Sequence, residues 1–347
     1  MAPTDDKLLL KAIRREAVPR RPLWIMRQAG RYLPEYREFR AKHTFKELAG
    51  EAELAAEVTL MPLKRYPLDA AIVFADIMSP MPALGIEFDF DPGPVVANPI
   101  RDRAAIERLR RPDPKEIAPE VIEALKLTRA ALPKSTALLG FCGAPWTLAA
   151  YLVEGKGTKD FPTLRAFAAA EPELLDTLLA RLSSLMGEYL KQQAAAGADA
   201  VQIFDSWAGL LSRASWEKLI RPHLTRLLTI VGEAGVPRIL FLQNAPHLMD
   251  AYASLPAEVL GVDWRVDLPD LKRRYPERAV QGNLEPAILT AGPEATRTAA
   301  KELLAVTPAR GHIVNLGHGI LPQTPLASVA ALVDAVHSEE PVHSEDR

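Results

Sequence analysis

Eight short apolar runs separated by long helical patterns constrain this chain more than any other feature. They are Leu23–Met26, Ala70–Phe74, Ala137–Cys142, Ala200–Asp205, Arg238–Gln243, Val259–Trp264, Ala279–Leu284 and Ile313–Leu316. Most are continuously apolar rather than alternating, as in "AAIVF", "ALLGF" and "RILFL". A strand with one wet face alternates; a strand of a parallel sheet, covered on both faces by crossover helices, does not. Between the runs, segments such as "PELLDTLLARLSSLMGEYLKQQAAAGAD" repeat leucine at helical spacing, and Gly197 stops that helix ahead of "AVQIFD". This alternation predicts an α/β fold, a single-domain (β/α)8 TIM barrel, over an open doubly wound sheet. With 347 residues the chain has room for two domains, but no Pro/Gly/Ser-rich linker divides it. One domain over residues 1–336 is expected, followed by a polar, disordered tail over 337–347.

A barrel also says where chemistry belongs, because the C-terminal strand ends line the mouth of the active-site cleft. Polar residues follow the predicted strands: Asp76 after "IVFA", Ser206 after "QIFD", Asn244 after "LFLQ", Asp263–Trp264, Gln281–Asn283, and His318 in "NLGHG". Side chains from separate strands would converge there.

Charge narrows the ligand. Lys and Arg total 42 against 44 Asp and Glu, a formal net charge of −2, which gives no reason to expect nucleic acid or a membrane surface as partner. Any cationic site must be local, and "PLWIMRQAGRYLPEYR" is the place for one. It gathers Arg27, Arg31 and Arg37 around Gly30 and Pro34, a poor core and a poor long helix. Arg27 and Arg31 are either a bidentate clamp for carboxylates or a surface pair bridged to Glu35 or Glu38.

The other constellations each carry two readings. Asp76 is a helix cap or a site acid, with Pro80 and Pro82 disfavouring an early helix start. In "GFCGAPWTLAAYLVEGKG", Gly140, Gly143 and Pro145 surround Phe141 and Trp146, and Tyr151 follows on a helix. These are the flat walls of a pocket or core packing. Ser206 lacks a GxSxG elbow, so a hydrogen-bonding role suits it better than nucleophilic attack. His318 has no partner at metal-ligand spacing, and neither HExxH nor DxDxDG occurs, so no metal is expected. The single Cys142 excludes an intrachain disulfide and a Cys-based zinc site, and suits a reducing cytoplasm. The leucines near the N-terminus make no signal-peptide core, and no run approaches the ~20 apolar residues of a membrane span.

Taken together, "PLWIMRQAGRYLPEYRE", "FADIMSPMPALG", "GFCGAPWTLAAYLVEG", "QIFDSWAG" and "NLGHGI" resemble the uroporphyrinogen decarboxylases, from about residue 7 to about residue 336. The resemblance implies a carboxy-lyase: a (β/α)8 homodimer in the cytoplasm, without metal or organic cofactor. It would remove the four acetate carboxylates of uroporphyrinogen III to give coproporphyrinogen III and CO2 in haem biosynthesis. It also implies roles. Asp76 and Arg27 would be catalytic. Arg27, Gln28, Ala29, Gly30, Arg31, Asp76, Phe141, Tyr151, Phe204, Ser206 and His318 would bind the substrate. Two rivals compete with this: a non-catalytic carrier of anionic tetrapyrroles, and a zinc-dependent barrel methyltransferase, which the lone Cys142 disfavours.

Overall fold

The computed structural model describes residues 7–90 and 93–339. Seven of its strands form one parallel, curled sheet in the order β1 (Ala70–Ile72), β4 (Ala137–Gly143), β5 (Ala200–Asp205), β6 (Arg238–Leu242), β7 (Val259–Val262), β8 (Ala279–Gln281) and β9 (His312–Ile313). Every neighbouring pair is parallel, in registers such as Ala70↔Ala137, Leu139↔Ala200, Val201↔Arg238, Ile239↔Val259, Val259↔Ala279 and Val280↔His312. Between β1 and β4 lies an antiparallel hairpin, β2 (Phe88–Phe90) with β3 (Pro94–Val96), which the apolar runs did not announce.

One expected strand is absent. Leu23–Met26 makes only a single bridge, Leu23↔Val314. The reason lies in where its amides go. Ile25 N–H donates to Gln28 Oε1 at 3.1 Å and Met26 N–H to Asn315 Oδ1 at 2.9 Å, so side chains take the bonds a ladder would need. Even so, this segment sits between the two ends of the sheet. Val314 N–H donates to Pro22 O at 2.9 Å on one side, and Asp69 N–H donates to Leu23 O at 2.9 Å on the other.

The inward faces of the strands pack as one cluster. It holds Ala70, Ala137, Leu139, Ala200, Ile239, Phe241, Val259, Ala279 and Ile313 with Trp24 and Met26. Four of these are alanines, and Trp24, fully buried, supplies the bulk they lack. Its indole N–H donates to Gln281 Oε1 at 3.0 Å, and Gln281 Nε2 donates to Gln202 Oε1 at 3.0 Å, a polar chain linking β8 to β5 inside the sheet. Leu9, Leu10, Ala12 and Ile13 of the first helix, Leu8–Ile13, join the same cluster.

Helices cover the outer face. The 24-residue helix Pro172–Ala195 turns Leu174, Leu175, Leu178, Leu179, Leu182, Leu185 and Leu190 inward against helices Pro145–Glu154 and Arg221–Gly232. From it Gln193 reaches β4, accepting from Phe141 N–H at 2.7 Å and donating to Phe141 O at 2.9 Å. Phe141 is thereby fixed at the strand end, beyond the last β1–β4 pair, Ile72↔Leu139. The chain's last described helix, Leu326–His337, reaches the start of the expected tail; residues 340–347 lie outside the described part. No helix among the described residues is long and apolar enough to cross a membrane.

Candidate active site

The cationic loop is built around a strained residue. Gln28 N–H donates to Ile25 O at 2.9 Å, closing a turn in which Arg27 takes φ +61°. That left-handed position usually falls to glycine and costs another residue about 1 kcal/mol. Three ties hold the loop in place. Gln28 Nε2 donates to Ala70 O of β1 at 3.1 Å, Met26 N–H is held by Asn315, and Ile320 N–H donates to Met26 O at 3.0 Å. A Cβ on Gly30 would stand 2.9 Å from Arg27 O, so glycine lets the loop fold back on itself.

The Arg27 side chain then runs along Gly319. A Cβ there would lie 2.9 Å from Arg27 Cγ, 3.0 Å from Nε, and closer still to Cδ. Exposed, and without a hydrogen bond or ion pair among the described residues, Arg27 is a cation kept for something else. Arg31 is likewise exposed and unpaired, near Tyr36. The surface-pair reading fails, because Glu35 is held by Arg65, at 2.9 and 3.1 Å. Arg37 braces the loop by donating to Arg31 O and Tyr32 O. Gln28 itself is fully buried, its side-chain amide and its own N–H both engaged by backbone, so it braces the loop. Ala29 and Gly30 are partly exposed beside it.

Asp76 follows β1 in a tight turn. Its Oδ1 accepts from Met78 N–H at 2.8 Å, and its own N–H donates to Ser79 Oγ at 3.3 Å. It is therefore a turn-capping residue, and more besides. Burial pushes its pKa up to about 6, against the Met78 hydrogen bond and the pull of Arg27. No ion pair joins Arg27 and Asp76; they act on each other across a gap. Tyr151, on helix Pro145–Glu154, feels both, and its pKa is raised chiefly by burial. Its phenol oxygen accepts from Trp207 Nε1 at 3.4 Å, leaving the phenol proton free for a ligand.

Aromatic rings continue the wall. Phe141 meets Phe204 edge-on at 5.6 Å, Phe204 meets Phe241 at 5.8 Å, and Phe241 lies 6.4 Å from the His318 ring. They come from the ends of β4, β5 and β6 and from the loop after β9. Burial, then Arg27, lowers the His318 pKa to about 4, so its imidazole is neutral near pH 7. Ser206 is partly exposed at the end of β5, its N–H donating to Thr147 Oγ1 at 2.9 Å. Among the described residues no three His, Cys, Asp or Glu side chains gather to hold a metal ion.

The expected residues Arg27, Asp76, Tyr151 and His318 thus lie near one another, and Phe141 and Phe204 belong to the run of rings that reaches His318. The geometry can hold an anionic, flat-faced molecule with one carboxyl group enclosed beneath it.

Comparison with known proteins identifies the family. The family model "Uroporphyrinogen decarboxylase (URO-D)" matches residues 4–339. The chain is 45% identical over 340 residues to the uroporphyrinogen decarboxylase of Streptomyces coelicolor, covering 97% of this chain and 95% of that one. It is 44% identical over 322 residues to that of Geobacter metallireducens, covering 92% and 95%. The chain belongs to the uroporphyrinogen decarboxylase family. It is an enzyme, a carboxy-lyase acting on a tetrapyrrole, as the motifs in sequence implied. A solved structure, a methyltransferase from Methanosarcina mazei, shares its fold at TM-score 0.77 and 22% identity, covering 95% of this chain and 97% of that one.

Some residues that support this candidate site escaped the sequence. Asp205, at the end of β5, is fully buried; it accepts from Thr147 Oγ1 at 3.0 Å and from the Tyr252 hydroxyl. Thr147 in turn receives Ser206 N–H, so the acid positions the loop that carries Ser206 and Trp207. Burial raises its pKa to about 6. The signal was the last letter of "QIFD", an acid inside an apolar run. Trp207 packs at 4.7 Å on Phe161 and steadies Tyr151; nothing in its spacing marked it. Cys142 is buried, its thiol pushed up by desolvation, and plays no part in the cleft.

Proposed function

We propose that this cleft removes the four acetate carboxylates of uroporphyrinogen III as CO2, giving coproporphyrinogen III, with Asp76 and Arg27 as its catalytic residues. Decarboxylating a pyrrole acetate leaves an electron pair that needs a sink. Protonating a ring α-carbon turns the pyrrole into a cationic iminium, into which the C–CO2 bond collapses. A second proton on the exocyclic carbon then makes the methyl group, and loss of the first proton from the ring α-carbon restores the neutral pyrrole. Each acetate consumes one net proton and releases one CO2, so the substrate can serve as its own electron sink.

Asp76 meets the main demand. Its carboxyl, with pKa about 6, is ionised at neutral pH yet enclosed, and an enclosed anion below the pyrrole N–H groups strengthens its hold as the ring becomes cationic. That single observation carries the proposal. Arg27 and Arg31 take peripheral carboxylates with the main chain of Ala29 and Gly30 in the loop that Gln28 braces, while Phe141 and Phe204 face the macrocycle. Tyr151, Ser206 and His318 contact its edge. A neutral His318 offers the ring an N–H hydrogen bond rather than an imidazolium proton, and the Tyr151 phenol and the arginine guanidiniums are the other proton-bearing groups of the cleft.

The same reading takes the Leu23 segment as the eighth stave of a closed (β/α)8 barrel, one domain over residues 1–336. Its bridge to Val314 and its bond from Asp69 N–H support that closure. Family resemblance supports a homodimer working in the cytoplasm without metal or organic cofactor.

The test is a pair of substitutions. Asp76→Ala should lose on the order of 10²–10³ in kcat with an unchanged circular dichroism spectrum, and Asp76→Glu far less. Wild-type activity in both variants would remove Asp76 from the mechanism.

A further inference from the structure

The loop "NLGHG" packs against two arginine-bearing segments. Gly319 lies against the Arg27 side chain, as described above. Gly317, two residues earlier, lies against Trp264 and Asp263: a Cβ there would stand 2.6 Å from Trp264 N, 3.0 Å from Trp264 Cε3 and 3.1 Å from Asp263 C. His318 sits between the two glycines, so the residue after Trp264 lies close to the loop that also touches Arg27. That residue is Arg265.

Arg265 is held as a ligand-facing cation would be. It follows β7, at the C-terminal end of the sheet. Its Nη1 donates to Asp263 Oδ2 at 2.9 Å and its backbone N–H to Asp263 Oδ1 at 3.0 Å. Asp263 is buried, 1% exposed, and its Oδ2 also accepts from Asn244 N–H at 2.7 Å. Asn283 Nδ2 fastens the same turn, donating to Asp263 O at 2.9 Å and Val266 O at 2.8 Å. The guanidinium carbon lies 4.1 Å from the centre of the Trp264 ring, which sets the plane of the group. Yet the side chain is 43% exposed, and its Nε and Nη2 make no hydrogen bond among the described residues. A guanidinium fixed at one corner, with an open edge, suits a second carboxylate bidentately.

We propose that Arg265 is a further substrate-binding residue, taking a peripheral carboxylate of the macrocycle other than the one held by Arg27. It rests on the reading of the cleft as the macrocycle site. His318 registers the charge of both arginines, in accord with both lying near it.

Two experiments test it on the full-length protein. In steady-state assays with uroporphyrinogen III, Arg265→Gln should lower kcat/KM about tenfold to a hundredfold, the loss lying in KM, with partial recovery in Arg265→Lys. In the wild-type protein, phenylglyoxal labelling mapped by mass spectrometry should show Arg265 protected by uroporphyrin, an octacarboxylate, whether or not the variants fold. Equal labelling of Arg265 with and without uroporphyrin, or an unchanged KM in folded Arg265→Gln, would overturn the inference. If Arg27→Lys is impaired in the same assay while Arg265→Gln is not, only this inference fails. If both variants and Asp76→Ala match the wild type, the reading of the cleft fails with it.

Discussion

Asp76 combines two duties that pull against each other. Its Oδ1 caps the turn after β1, which any hydrogen-bond acceptor could do, while its charge is held where burial resists it. The folded pKa of about 6 lies above the ordinary 3.8, so Asp76 is neutral in both folded and unfolded states at low pH. As pH rises from about 4 through about 6, the unfolded chain ionises first, and folding stability is lost. Asp76→Asn keeps the cap and removes the charge. It should therefore be more stable than the wild type at pH 7.5, by a margin on the order of 3 kcal/mol, and that margin should close as pH falls towards 4. Thermal melts of the two proteins across this range check it; a margin independent of pH would contradict the burial argument. On the proposed mechanism the same substitution should abolish most activity, because the destabilising charge would be the one that steadies the cationic ring.

At the scale of elements, the site is a meeting of loops whose positions are fixed by glycine. The loop of Arg27 and the loop of His318 are bonded through Asn315 and Ile320, and Gly319 leaves the lane that the Arg27 side chain occupies. Gly319→Ala puts a methyl group against Arg27 Cγ and Cδ. A long flexible side chain can move aside at little cost in stability, but then the guanidinium leaves its place. The expected result is a loss of at least about tenfold in kcat/KM, from misplacement of a carboxylate clamp, with a nearly unchanged melting temperature. Full activity in this variant would mean that the position of Arg27 is not critical. Sequence reasoning could locate this loop by its two glycines and histidine. It could not show which glycine served which neighbour, because that depends on two segments nearly three hundred residues apart packing side by side.

Across the whole molecule, the strands were legible because seven of the eight apolar runs are buried on both faces and so carry no polar alternation to confuse them. The eighth, Leu23–Met26, failed as a strand because its amides go to the side chains of Gln28, three residues on, and Asn315, a long-range partner that no local pattern announces. Strand ends such as Asp76 and Ser206 could be read as site positions from the barrel expectation alone. Arg27 could be read as a cation in search of an anion. The supporting residues Asp205 beneath Ser206 and Trp207 beside Tyr151 came only with the fold, and Asp263, legible as a strand-end acid, showed only there that it braces Arg265, since each acts through a neighbour rather than on a ligand.

The central claim is that this cleft carries out decarboxylation with its own side chains. It is tested most directly by incubating the chelator-treated full-length protein with uroporphyrinogen III, then separating the oxidised products by chromatography while trapping CO2. The account predicts stepwise loss of four carboxylates, ending at the tetracarboxylate, with one CO2 per step and no loss of rate on chelation. Recovery of the intact octacarboxylate, even bound to the protein, would contradict it.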